Sequence, residues 1–158
     1  MTKRAVVVGY GHYLPERIVE NAEFESSLDT TDEWIRTRSG IERRHFAAEG
    51  QHTSDLAAEA AKAALAQAGL TAGDIDAIVV ATSTPDLTFP SVATMVQQKI
   101  GMERGFGFDV QAVCAGFVFA LTTANGLILS GQAERVLVIG AETFSRIMDW
   151  TDRGTCVL

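Results

Sequence analysis

Short runs of β-branched and apolar residues alternate along the chain with longer stretches of helical period, which predicts an α/β domain whose strands have parallel neighbours. Residues 5–10 (AVVVGY) read as the first strand, 77–82 (AIVVAT) as a continuous apolar strand, and 107–111, 135–141 and 154–158 as three more. Between them, residues 54–68 place Asp55, Glu59, Lys62 and Gln67 on one side of a helix and Leu56, Ala60, Ala64 and Leu65 on the other, with Gly69 as the stop. Residues 91–100 form a second helix, with Ser91 as N-cap and Gly101 as stop. The stretch 114–130 is apolar on all sides and reads as a helix buried in the protein. The predicted order is βαβαβαββ, with an insertion at about residues 11–52 in the first crossover. Inside it, residues 21–28 and 31–38 form short helices, Thr30 and Glu33 have capping-box spacing, and residues 41–46 alternate weakly like an edge strand.

No charged residue falls between Val110 and Ala133, but polar residues interrupt the run and its wholly apolar part covers only residues 112–121. A bilayer core needs about 20 apolar residues, so no membrane span is expected. The start, Met1-Thr-Lys-Arg4, has the charge order of a signal peptide; the apolar run after it is too short for one. At the other end the chain stops inside what reads as a strand, so a truncated or cleaved chain is expected.

Composition narrows the classes. Of the 158 residues 47% are hydrophobic, and 13 Lys plus Arg against 20 Asp plus Glu give a net charge of −7. Such a field disfavours nucleic acid and anionic membrane as partners. The two cysteines, Cys114 and Cys156, have no metal-ligand or disulfide-framework spacing, consistent with a reducing, cytoplasmic setting and no structural metal.

Cys114 sits where a predicted strand gives way to the apolar helix, in the string Gln111-Ala-Val-Cys114-Ala-Gly116. A helix start presents free N–H groups and partial positive charge that favour thiolate, and Ala115 and Gly116 leave room for a substrate carbonyl and for N–H donation to an oxyanion. The alternative is a small buried hydrophobe, the ordinary fate of a free cysteine. Cys156, mid-strand, reads as core. Against the acidic background, Ile35 to Arg44 holds four Arg and one Glu, a local 4 − 1 = +3, beside Trp34. An indole face with guanidinium groups suits a ligand carrying a flat base and phosphates. Equally, Trp34 could staple a short helix to the core while the arginines stay solvated or pair with Glu42 and Asp32. Gly9-Tyr-Gly11-His-Tyr-Leu14 lacks the third glycine of a dinucleotide fingerprint, and none of His12, His45 and His52 is placed beside Cys114 by the sequence.

Four strings then occur together and in order: Asp29-Thr-Thr-Asp-Glu-Trp34-Ile-Arg-Thr-Arg38-Ser-Gly-Ile41, Phe89-Pro-Ser91, Cys114-Ala-Gly-Phe117 and Thr151-Asp-Arg-Gly-Thr155. With them the chain resembles the N-terminal half of β-ketoacyl-acyl carrier protein synthase III, of the thiolase superfamily. The resemblance implies two similar βαβαβαββ halves in an αβαβα stack, with the nucleophile helix between two sheets; the C-terminal half is absent from this chain. It implies an acyltransferase of fatty acid biosynthesis needing no cofactor. Cys114 takes an acyl group from acyl-coenzyme A, acetyl-coenzyme A foremost, and the acyl-enzyme condenses with malonyl-acyl carrier protein with loss of carbon dioxide. It assigns Trp34 and Arg153 to the adenine, Thr30 to a hydrogen bond on it and Arg38 to a coenzyme A phosphate. Phe89 it assigns to the partner's acyl pocket in a homodimer. The family's carbanion-stabilising histidine and asparagine have no counterpart here, so the chain alone is expected to lack condensation activity. Other readings are a non-catalytic coenzyme A binder or structural subunit, and a related condensing enzyme with another acyl donor.

Overall fold

The computed structural model describes residues 4–158; the charged start at residues 1–3, read above against a signal peptide, lies outside them. In chain order the elements are β1 (Arg17–Glu20), α1 (Ala22–Glu25), α2 (Asp32–Ser39), β2 (Arg43–Phe46), α3 (Thr53–Ala68), β3 (Ala77–Ala81), α4 (Val92–Lys99), β4 (Phe106–Val110), α5 (Gly116–Leu129) and β5 (Val136–Gly140), with short 3-10 turns between and after them. They form two compact units. One comprises Gln51–Glu142 and the segment up to Tyr13; the other comprises Leu14–Gly50 and Thr143–Leu158.

The first unit is a three-layer α/β sandwich. Its sheet has the order β4-β3-β5, all parallel, with Ala77 opposite both Phe106 and Val136, and Ala81 opposite both Val110 and Gly140. Every residue of β3 is buried, as its unbroken apolar run requires of a central strand covered on both faces. On one face Ala57, Ala61 and Leu65 of α3 and Val92, Ala93 and Val96 of α4 pack on Ile78, Val80, Leu137 and Ile139. On the other, Ala120 of α5 packs on Val79 and Ala81. Helix α3 starts with a reciprocal cap between His52 and Asp55 and ends at Gly69, whose φ of +67° needs no Cβ there. Helix α4 starts at Ser91, whose hydroxyl accepts from the Thr94 N–H at 3.2 Å.

Several expectations fail here. Residues 5–10 form no strand: they lie along α3, with the Tyr10 N–H donating to Gln67 Oε1 at 3.1 Å and Val7 fully in the open. Gly9 and Gly11 come so close to α3 that an added Cβ would meet Ala68 Cβ at 2.6 Å and Ala64 N at 2.3 Å. A cavity of about 270 Å³, lined in part by Val6, Val8, Leu65, Ile128 and Val136, separates the segment from β5. Helix α5 is not buried all round. It seats itself through Gly116, Ala120 and Ala124, while Phe117, Val118, Phe119 and Leu121 are exposed. The predicted closing strand is instead a 3-10 turn, Arg153–Val157, because the Asp152 carboxylate caps the Gly154 N–H at 2.7 Å and the Thr155 hydroxyl donates to Asp149 O at 2.6 Å. The strand order βαβαβαββ therefore reduces to three parallel strands in this unit and a separate antiparallel pair in the other.

The second unit is built round that pair, β1 against β2, in register Arg17↔Phe46 to Glu20↔Arg43. The sequence pattern of residues 41–46 holds as a shorter edge strand; its partner β1, with only Val19 buried, offers too little alternation to be read. Val19, Phe24, Leu28, Ile35 and Cys156 form the small core, so Cys156 is core as expected although it sits on a turn. Buried Asn21 joins the pieces: its Nδ2 donates to Asp32 Oδ1 at 2.8 Å and to Ile41 O at 2.7 Å, and its Oδ1 accepts from Arg44 at 2.8 Å. Arg44 also donates to Cys156 O. Helix α2 is capped by Thr31, which accepts from the Trp34 N–H at 3.1 Å, and not by Thr30, which is buried one residue too early.

Candidate active site

In a parallel sheet the loops at the carboxyl ends of the strands gather on one edge, and ligands bind there. Here Ala81, Val110 and Gly140 end side by side, and the ladder runs one bond further through Thr82 N–H to Val110 O at 3.2 Å and Ala141 N–H to Ala81 O at 3.1 Å. Three segments leave this edge: residues 82–91, which carry Phe89; residues 111–115, which carry Cys114; and the segment beginning with Glu142.

Cys114 is exposed, on a 3-10 turn (Val113–Ala115) that precedes α5 rather than on the helix itself. Two details of that turn matter. Val113 has φ +47°, a left-handed conformation that a β-branched residue adopts only under constraint. And the Ala115 and Gly116 N–H groups are taken by Ala112 O (3.0 Å) and Val113 O, so they are not free to meet an oxyanion, contrary to expectation. A 3-10 turn leaves the N–H groups before its fourth bonded position unused, so the turn itself consumes neither the Val113 nor the Cys114 amide. Below the turn, Gly116 lies against Ala81, where a Cβ would meet the alanine methyl at 3.2 Å.

The remaining sequence candidates divide between the units. Phe89 belongs with Cys114 in the first unit and is 81% exposed. Thr30, Trp34, Arg38 and Arg153 all belong to the second. There the guanidinium carbons of Arg38 and Arg153 each lie 4.2 Å from the centroid of the Trp34 ring. Trp34 is half-buried and packs on the core cluster of Ile35 and Cys156, as the packing reading of this residue expects, while its ring also lies against the two guanidinium groups. Arg36 pairs with Asp32 at 3.4 Å and Glu42 at 3.1 Å. Thr30 is buried, its hydroxyl 3.8 Å from Cys156 Sγ. Among the described residues no group of three metal-ligating side chains comes together, and no helix is long and apolar enough to cross a membrane.

Sequence reasoning missed three carboxylates at the carboxyl edge. Glu142 Oε1 accepts from the Ser83 N–H at 2.7 Å, and its other oxygen takes the Thr84 hydroxyl. Asp86 accepts from Ser54 N–H at 2.9 Å and Ser54 Oγ at 2.6 Å; Asp109 accepts from Val92 N–H at 2.7 Å and Ala93 N–H at 2.8 Å. The one available signal was Asp109 itself, a charge in the middle of an otherwise half-buried strand.

Three parallel strands with helices on both faces and a cysteine turn at their carboxyl edge constitute a thiolase-like half-domain. The crystal structure of 3-oxoacyl-[acyl-carrier-protein] synthase III from Aquifex aeolicus VF5 superposes with a TM-score of 0.92 at 46% identity, covering 96% of this chain and 49% of that one. The corresponding synthase of Thermus thermophilus gives 0.93 at 45% identity, covering 98% of this chain and 48% of that one. The sequence profile of the 3-oxoacyl-[acyl-carrier-protein (ACP)] synthase III family matches residues 108–158, and the β-ketoacyl-[acyl-carrier-protein] synthase III of Rhodobacter capsulatus is 80% identical over all 158 residues, which make up 49% of its length. Over its whole length the chain is similar to one half of β-ketoacyl-[acyl-carrier-protein] synthase III proteins, and it spans about half the length of the curated relatives it matches.

Proposed function

We propose that the protein to which this half-domain contributes is a β-ketoacyl-acyl carrier protein synthase III that initiates fatty acid synthesis in the cytoplasm. The observation that carries this reading is the exposed Cys114 on a constrained turn at the carboxyl edge of the parallel sheet. The Cys114 thiolate attacks the thioester carbonyl of acyl-coenzyme A; the tetrahedral oxyanion is met by the Cys114 amide, and its collapse releases the coenzyme A thiolate. Malonyl-acyl carrier protein then loses carbon dioxide. The resulting carbanion forms a carbon–carbon bond to the acyl carbonyl, and the Cys114 thiolate leaves. Trp34 and Arg153 receive the adenine, Arg38 a phosphate, and Thr30 the adenine edge after its hydroxyl turns from Cys156. Phe89 enters the acyl pocket of the other subunit of a homodimer, a role its exposure supports.

The test is mass spectrometry of residues 1–158 after addition of acetyl-coenzyme A. An acetyl adduct on Cys114, lost in Cys114→Ser, is the expected result, together with no ketoacyl product when malonyl-acyl carrier protein is added. Coenzyme A binding without an adduct would sink the enzymatic reading in favour of a binding subunit.

A further inference from the structure

The segment from Thr82 to Ser91 joins β3 to α4 without regular structure, and it holds out two apolar side chains, Leu87 and Phe89, into the open. A loop of this kind is ordinarily mobile, and a mobile loop lets an exposed phenyl ring fold down onto the nearest apolar surface. This one is tied at three places. At its start Glu142 takes the Ser83 N–H and the Thr84 hydroxyl, and the Thr84 N–H donates to Thr82 Oγ1 at 3.1 Å. In its middle Asp86 grips both the N–H and the hydroxyl of Ser54, at the first turn of α3, while the Thr53 hydroxyl donates to Thr84 O at 2.6 Å. At its end the two oxygens of Asp109 take the Val92 and Ala93 N–H groups, fixing where α4 begins.

None of these carboxylates takes part in an ion pair among the described residues; each is devoted to backbone N–H or hydroxyl donors. Charge-assisted bonds of that kind are stronger and more directional than neutral ones. Asp109 has a second consequence. It lies in β4, the strand that leads directly to Cys114, so one residue holds both the start of α4 behind Phe89 and the strand that carries the nucleophile. Phe89 is thereby held at a fixed height above the sheet edge of its own subunit, the edge from which it reaches the other subunit's pocket.

We propose that Asp86, Asp109 and Glu142 are positioning residues that hold the Phe89 loop rigid and thereby set which acyl chain lengths the site accepts. This rests on the reading of Phe89 as a wall of the acyl pocket. A rigid wall discriminates between chains differing by one or two methylenes; a loose one yields to the longer chain. Pockets of this kind discriminate by about 10- to 200-fold per methylene, so loss of one tie is expected to shift the preference by about fivefold to tenfold toward longer chains.

The experiment uses a chimera in which residues 1–158 replace the matching half of the Rhodobacter capsulatus relative, with Asp109→Asn, Asp86→Asn, Glu142→Gln and Phe89→Ala variants. The quantity read is the ratio of kcat/KM for acetyl-coenzyme A to that for hexanoyl-coenzyme A, alongside hydrogen exchange of the amides of residues 83–93 in each variant. Each carboxylate variant is expected to lower the ratio in the same direction as Phe89→Ala, to add nothing in a double variant with it, and to raise exchange in this segment alone. Asp109→Glu is expected to restore part of the ratio. A ratio moved by Phe89→Ala but unmoved by all three carboxylate variants overturns the proposal while leaving the pocket assignment standing. A ratio unmoved by Phe89→Ala overturns the pocket assignment, and the role in selectivity with it. Exchange in residues 83–93 unaffected by all three variants overturns the tie itself, and that measurement needs no turnover.

Discussion

The guanidinium carbon of Arg153 lies 4.2 Å from the centroid of the Trp34 ring, although Trp34 is fixed in α2 and Arg153 opens the 3-10 turn that closes the second unit. The ring is thus already covered by cations, with Arg38 at the same distance. For an adenine to stack on this indole, a guanidinium has to slide aside.

Binding of coenzyme A is therefore expected to exchange one stacking partner for another, and to report itself in tryptophan fluorescence. A cation over an indole contributes about 0.5–2 kcal/mol, depending on desolvation. Because the displaced Arg153 then closes on the free face of the adenine, Arg153→Ala should weaken coenzyme A binding by about tenfold while leaving thermal unfolding within a degree or two. Titration followed by Trp34 emission checks this; Trp150, whose Nε1 donates to Ser145 O at 2.8 Å, stays as an internal reference. An unchanged dissociation constant would remove Arg153 from the binding surface.

The strain at Val113 gives a prediction in which stability and chemistry move in opposite directions. A left-handed non-glycine residue costs about 1–3 kcal/mol. Val113→Gly should relieve most of that and raise the unfolding midpoint, less the entropy glycine gains in the unfolded chain. The same freedom lets the turn carrying Cys114 wander, so the rate of acetyl adduct formation should fall by about tenfold. A variant both more stable and equally fast would show that the turn's geometry does not serve the sulfur.

Asp76 ties the amino ends of the sheet. Its carboxylate accepts from Arg135 N–H at 2.9 Å and Glu134 N–H at 2.8 Å, its own N–H donates to Arg135 O at 2.9 Å, and its carbonyl accepts from Phe106 N–H at 3.2 Å. The Arg135 and Glu134 N–H groups, foremost Arg135, hold the carboxyl below the usual aspartate range. A folded-state pKa depressed below the unfolded value of about 3.9 adds stability that is present above that value and is lost as pH falls through the folded one. Denaturant unfolding measured from pH 6 down to pH 3 should therefore show a steeper acid loss in the parent than in Asp76→Asn. Parallel curves would mean the carboxylate does nothing the amide cannot.

In the second unit Arg44 spans Asn21, the carbonyl of Cys156 and the ring of Phe24, 5.1 Å away, and burial lowers its pKa against an opposing pull from Cys156. A planar fork serves several acceptors and a ring face at once; an ammonium does not. Arg44→Lys should cost nearly as much as Arg44→Ala, about 2–4 kcal/mol. Equilibrium unfolding monitored by Trp150, which stacks on Phe24 at 5.3 Å between ring centroids, reads this unit directly.

The residues that sequence pattern revealed are those whose structure is set locally or by uniform burial. The all-apolar run of β3, the helical period of α3 with its Gly69 stop, and the Ser91 start of α4 were legible because their own residues decide them. Residues 5–10 have the composition of a strand, yet a strand needs a neighbour, and here Gly9 and Gly11 fit α3 instead. Cys114 was visible as a cysteine at a strand-to-helix junction; the constraint at Val113 was not, since nothing in a valine announces positive φ. Asp86, Asp109 and Glu142 were not legible because their partners are backbone N–H groups and hydroxyls far along the chain, which no local pattern pairs with a carboxylate.

Helix α5 rests on the sheet through Gly116, Ala120 and Ala124. Gly116 and Ala120 have no side-chain torsion with which to re-pack, so where they meet Ala81 and Val79 a displaced strand is not absorbed by a rotamer change and is passed on to the helix backbone. The sulfur at the helix's leading turn is in this sense gauged from the sheet main chain. The loop that carries Phe89 is then free to diversify, while the seat beneath Cys114, where Gly116 meets Ala81, tolerates almost no change in volume.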